Sequence, residues 1–242
     1  MSSALSNLSA LKIAALARDV REKALSVLMA DPIAIVGMGC RAPDADGPDA
    51  FWDLVREGRT VADPVPADRW DVDAWYDAEP AVPGKSVTRF GSFVDQVDRF
   101  DAGYFNILPR EADAMDPQQR LFLECAIEAL DDAGMTAEAL RGSKTGVFTA
   151  VYGGDYNRLS YSDVNRIDLR TLTGSAPCVV PNRLSYLLDL RGPSVALATA
   201  CSSSLFAIHM ACQSLRTGDS DIAVTGGVSL VLTPQMMVAL SK

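Results

Sequence analysis

A chain of 242 residues is long enough for one large domain or two small ones, with a substantial buried core. Its 48% hydrophobic content excludes a disordered chain, and its net charge of -9, without any block of lysine and arginine, argues against nucleic acid as a partner. No apolar run approaches the ~20 residues of a membrane span, and the N-terminal stretch carries charges through its middle, unlike the apolar region of a signal peptide.

From Leu5 to Leu28, apolar residues recur at roughly helical spacing with Lys12, Arg18, Asp19, Arg21 and Glu22 between them. Two readings stay open: a helix packed on its own domain, or a protruding helix that pairs with another chain. Pro32 ends it, because the residue before a proline is pushed out of helical geometry. "IAIVGMGCRAP" (33–43) then reads as a buried strand followed by a glycine turn. Gly37, Gly39 and Ala42 fit the spacing of a dinucleotide site, but loop chemistry follows (Pro43, Asp44, Asp46, Gly47) where the fingerprint requires the start of a helix. A helix begins only near Pro48 and runs through "AFWDLVREG".

Residues 60–100 are rich in Pro, Asp and aromatics and read as a long irregular excursion, with short strands near "SVTRFGSFV". "MDPQQRLFLECAIEALDDAG" is a well-punctuated helix. Asp116 caps it, Pro117 suits its first turn, Leu121, Leu123, Ala126, Ile127 and Leu130 form the buried stripe, and Gly134 ends it. "KTGVFTAVY" is a strand. "PNRLSYLLDLRGPSVALATA" holds a helical piece, a Gly-Pro turn and a second strand, and "DIAVTGGVSLVL" supplies a third. Strands alternating with helices give a layered α/β fold.

The five cysteines (Cys40, Cys125, Cys178, Cys201 and Cys212) include no CxxC pair and read as reduced thiols of a cytoplasmic protein, not as a disulfide framework or zinc site. Four of them read as packing residues. Cys201 differs. "SVALATA" suits a fully buried strand, and after it Leu205, Ile208, Cys212 and Leu215 repeat at i, i+3, i+7 and i+10, so a helix is expected to start at the cysteine. A helix N-terminus favours thiolate over thiol, and its free N–H groups can hold an oxyanion. The small residues Ala198, Ala200, Ser202 and Ser203 allow close approach. A thiol nucleophile also needs a base or cationic partner. The single histidine, His209, lies eight residues along the same helix, roughly 12 Å away at 1.5 Å per residue. It is expected to be a structural residue held in the core.

Taken together, "DPIAIVGMGCR", "FWDLVREGR", "PADRWDVDAWYD", "FDAGYFNILPREADAMDPQQRLFLE", "NRLSYLLDLRGPSVALATACSSSLFAIHMACQSLR" and "AVTGGVSLVLTP" resemble the N-terminal half of a β-ketoacyl synthase domain from a modular type I polyketide synthase. The resemblance covers 31–242, leaving 1–30 as a helical linker or docking segment. It implies a thiolase-like αβαβα fold, N-terminal half, normally a homodimer, with Cys201 accepting the growing acyl chain. No tightly bound cofactor is implied. An acyl carrier protein delivers the chain on its phosphopantetheine arm, and the extender, a malonyl-type unit, is decarboxylated for a Claisen condensation. The leading helix is expected to bring chains together and to meet an upstream part of the synthase.

Three departures accompany the resemblance. Ala198 stands where the family usually has Asp, and "FNILPREA" replaces "FGISPREA", with Asn106 and Leu108. The family's two catalytic histidines and a supporting lysine belong to a second half outside these 242 residues, so the chain alone is expected to be inactive. The alternative is a non-catalytic interaction or scaffold fragment that pairs with a partner chain.

Overall fold

The computed structural model describes residues 9–30, 32–80 and 82–242. The chain divides into two compact units, residues 1–35 and 36–242. In the first, Ala10–Ala30 forms helix α1. Its N-terminus is closed by Ser9, whose Oγ accepts from the Lys12 N–H at 3.4 Å. Two i,i+4 ion pairs, Arg18–Glu22 and Asp19–Lys23, run along it, a spacing that adds a few tenths of a kcal/mol per pair. The first turn expected from Leu5 lies outside the described residues.

The second unit opens with a correction. No strand forms over 33–40; Val36 and Met38 are exposed. A strand needs a neighbour to take its backbone groups, and among the described residues none pairs with this segment. Residues 37–39 run instead along helix α5 (Pro117–Asp132), where the Met38 N–H donates to Asp132 Oδ2 at 2.9 Å. Arg41 completes the attachment with a two-pronged hydrogen bond to the Glu128 carboxylate. The glycine pair serves this packing. A Cβ at Gly37 would overlap the Ala129 carbonyl oxygen and lie 2.8 Å from Ala133 Cβ. The close approach that Gly37 permits is therefore to helix backbone.

A two-residue antiparallel pair, β1 (Arg41–Ala42) with β2 (Ala45–Asp46), leads into α2 (Pro48–Glu57), which carries Pro at its start and left-handed Gly58 at its end. The long excursion holds the short helix α3 (Val72–Trp75) and the pair β3 (Asp63–Pro64) with β4 (Phe90–Gly91). Asn106 precedes α4 (Pro109–Ala114) at φ 52°, so this departure from the family's glycine uses the side chain type that tolerates the left-handed region. Helix α5 forms where expected, with Asp116 accepting from the Gln118 N–H at 2.8 Å. Its buried face is Phe122, Leu123, Ala126 and Leu130, while Leu121 and Ile127 are only half-buried.

After α6 (Ala137–Leu140) comes β5 (Thr145–Val151), buried at every position. An irregular stretch with α7 (Asp155–Ser160) and α8 (Leu169–Ser175) leads to α9 (Val179–Leu187) and β6 (Ser194–Leu197). Helix α10 (Ser203–Thr217), β7 (Ile222–Val228) and α11 (Gln235–Leu240) complete the unit. The three strands form a parallel sheet in the order β6-β5-β7, with Phe148 opposite Val195 on one side and Thr225 on the other.

Alternation along β5 divides the core into two layers. Val147 and Val151 face α5 and α9, meeting Phe122, Leu123, Val180 and Leu184. Phe148 and Ala150 face α10 through Ala207 and Ala211. The segment leaving β7 is held by two buried polar side chains. Gln118 Oε1 accepts from the Leu230 N–H at 3.1 Å, and Asp155 Oδ2 accepts from Leu232 and Thr233 at 3.0 Å each. No helix among the described residues is long and apolar enough to cross a membrane.

Candidate active site at the cysteine turn

Strand β6 is half-buried, not fully buried as its composition suggests, because it forms one edge of the sheet. It ends at Leu197, and Ala198, Thr199 and Ala200 emerge exposed. The helix does not start at the cysteine. Ala200–Ser202 forms a single 3-10 turn, and α10 begins at Ser203. Ala200 takes φ 54°, a left-handed conformation that an alanine normally avoids. This reversal between strand and helix leaves Cys201 exposed at the turn.

Two serines tie the turn together. Ser202 Oγ donates to the Thr199 carbonyl at 2.8 Å. Ser203 Oγ accepts from the Thr199 N–H at 2.8 Å and donates to the Ala200 carbonyl at 2.7 Å. The third, Ser204, meets the end of β7: a Cβ on Gly227 would overlap its Oγ. Gly227 thus lets β7 and the first turn of α10 approach, a role that sequence reasoning did not pick out. Its signal was the paired glycine inside an otherwise regular strand.

The structure shows which face of α10 packs inward and corrects one further expectation. The apolar residues Leu205 and Ile208 face outward, Leu205 with 74% of its surface exposed, while Ser203, Ala207, Ala211 and Ser214 face the sheet. His209 is exposed and lies against Phe206, with ring centroids 6.0 Å apart, so it is not a core residue. The helix is continuous from Ser203 to His209, which places the His209 backbone about 9 Å along the axis from that of Ser203. Ala198 is exposed and brings only a methyl group to the approach to the turn.

The other thiols have different surroundings. Cys40 and Cys125 are half-buried, and burial pushes both thiols above their ordinary value against the opposing effect of the Arg41 cation, Cys125 to about 11. Both are therefore overwhelmingly protonated near neutrality. Cys212 is half-buried on α10, whereas Cys178 is exposed at the start of α9 and is not the packing residue expected. Among the described residues, no group of three His, Cys, Asp or Glu side chains is placed to hold a metal ion.

The family model for the β-ketoacyl synthase N-terminal domain matches residues 30–242. One component of the phenolphthiocerol/phthiocerol polyketide synthase of Mycobacterium tuberculosis is 48% identical over 224 residues, covering 92% of this chain and 15% of that one. A second component of the same synthase is 49% identical over 213 residues, covering 88% of this chain and 12% of the relative. These curated relatives are therefore several times longer than the chain. Among solved structures, the oxazolomycin ketosynthase domain of Streptomyces albus aligns with a TM-score of 0.82 and 41% identity, over 87% of this chain and 37% of that one. The ketosynthase from module 6 of the bacillaene synthase of Bacillus subtilis aligns with a TM-score of 0.74 and 36% identity, over 87% and 34%. The layered helix-and-sheet arrangement is the thiolase-like one of these ketosynthase structures.

Proposed function

Because the chain belongs to the β-ketoacyl synthase family, we propose that Cys201 accepts an acyl chain as a thioester during polyketide chain extension. The observation that carries this reading is the placement of an exposed thiol at a reversal between β6 and α10, inside the "TACSSS" run that resembles the family's nucleophile motif. None of the other four cysteines stands at a strand-to-helix turn.

In the first half-reaction, the Cys201 sulfur attacks the thioester carbonyl of an acyl group on the phosphopantetheine arm of a carrier protein. The carbonyl electrons move onto oxygen, and the start of α10 supplies partial positive charge where that oxyanion develops. Collapse expels the phosphopantetheine thiolate and leaves the acyl group on sulfur. In the second, a malonyl-type thioester loses carbon dioxide, its enolate carbon attacks the acyl carbonyl, and the Cys201 thiolate leaves. A carrier protein is thus the substrate-bearing partner, a second copy of the chain the expected companion, and α1 the segment for contact with another part of the synthase.

Decarboxylation needs stabilisation of enolate charge, and the only histidine in the chain sits exposed beside Phe206 on α10. The acid–base groups of the second half-reaction are therefore assigned to residues outside the 242. The reading is tested by incubating the protein with an acyl thioester and mapping the added mass. Acylation at Cys201 that disappears in Cys201→Ala is expected. Labelling that survives this substitution would overturn it.

A further inference from the structure

We propose that Ser203 is the positioning residue for Cys201, its buried hydroxyl holding the left-handed turn at Ala200 that presents the thiol. This rests on the reading of Cys201 as the acyl acceptor. An L-residue with a Cβ is disfavoured at φ 54°, the value found at Ala200. Unrestrained, the two peptide groups flanking Ala200 relax toward the right-handed region, and the Cys201 side chain swings with them.

Ser203 spans that reversal. Its one oxygen accepts from the Thr199 N–H on the near side and donates to the Ala200 carbonyl on the far side. With 4% of its surface exposed, Ser203 makes these bonds where little water competes. Its neighbours are not equivalent: Ser202 is exposed and bonds only to Thr199, and Ser204 is exposed beside Gly227. One serine of the three therefore grips both sides of the strained residue.

Acyl transfer depends on the distance and angle at which sulfur meets the carbonyl carbon. A misplaced thiol leaves substrate binding intact and slows the chemical step, so the effect falls on the limiting rate and not on the half-saturating concentration. The test uses the full chain, an acyl N-acetylcysteamine thioester as the probe, and mass spectrometry at Cys201. Ser203→Ala is expected to lower the limiting acylation rate about tenfold, as loss of one buried hydrogen-bonding group would, with half-saturation unchanged. Adding Ala200→Gly is expected to restore most of that rate, because glycine adopts this backbone without penalty. An unchanged rate in Ser203→Ala, or a loss that Ala200→Gly does not recover, overturns the inference and makes Ser203 an ordinary core residue.

Two measurements keep this separate from the reading it rests on. If the unsubstituted chain does not acylate at Cys201, that reading fails, and the ratio of iodoacetamide modification at Cys201 to that at exposed Cys178 then decides the present inference. The ratio is expected to fall in Ser203→Ala and to recover with Ala200→Gly; an unchanged ratio overturns it. If Ser203→Ala does not fold, amide exchange in the unsubstituted protein decides. Thr199 is exposed and lies outside β6, so slow exchange at its amide supports the bond to Ser203, and fast exchange overturns it.

Discussion

Gly39 lies so close to the carbonyl group of Cys125 that a methyl group there would overlap the oxygen and stand 3.1 Å from the Ala129 nitrogen. What it would meet is helix backbone, which cannot swing aside as a flexible side chain does. Gly39→Ala is therefore expected to destabilise the fold at the upper end of the roughly 1–3 kcal/mol typical of overpacking. Gly84, left-handed with open space around it, is the control: Gly84→Asn is expected to cost much less. Chemical denaturation of the two variants checks the contrast, and equal losses would disprove the close-packing account.

Helix α10 turns its small residues inward. Ala207 has no exposed surface and packs on Phe148, whereas Leu205 and Ile208 point away from the sheet. Ala207→Leu is expected to cost about 1–3 kcal/mol by overfilling the contact with the sheet. Leu205→Ser is expected to stay within about 0.5 kcal/mol, despite removing a large apolar side chain. Urea midpoints measure both, and the reverse order would mean that the outward face is core.

That helix also marks where sequence reading reached its limit. Periodicity located α10 closely, but it does not say which face meets the sheet, and the apolar positions Leu205 and Ile208 turn outward. The sheet already contributes Phe148, so the helix approaches through alanine and serine, and that choice depends on β5, a segment some sixty residues away. Residues 33–40 failed for the same kind of reason: a strand-like composition specifies strand only where a neighbour exists. Locally punctuated elements fared better. Asp116, Pro117 and Gly134 bound α5 through interactions among near neighbours, which a sequence records directly. At the candidate site, the position of Cys201 between strand and helix was legible. The left-handed Ala200 was not, because no glycine or asparagine advertises it.

Asp116 supplies a pH dependence. It is almost fully buried, and burial holds its carboxyl above the ordinary carboxylate range despite hydrogen bonds from the Gln118 backbone and side chain. A raised value in the folded state means that the fold binds this proton more tightly than the unfolded chain does. The contribution is full below the unfolded value of about 3.9 and is lost as pH rises through the higher folded value. Asp116→Asn keeps an acceptor for the Gln118 N–H and cannot ionise. Relative to this variant, the unsubstituted protein is expected to lose stability as pH is raised from about 4 toward neutrality. Thermal melts across that range check the sign, and a relative gain on raising the pH would contradict it.

The last expectation concerns turnover by the 242 residues alone. Acylation of Cys201 draws on local features, the turn at Ala200 and the start of α10, and should proceed without further residues. Condensation does not have that advantage. Each general acid–base group typically contributes about 10²–10⁴-fold, and His209 sits on a continuous helix with its backbone about 9 Å along the axis from that of Ser203 and its ring against Phe206. It is not expected to serve the reacting carbon at Cys201 while α10 remains intact. Carbon dioxide release from a malonyl carrier thioester should therefore match that of the Cys201→Ala variant, even when mass spectrometry finds the acyl-cysteine formed. Release well above that level, and abolished by His209→Ala, would mean that the helix opens and that the exposed histidine performs the chemistry.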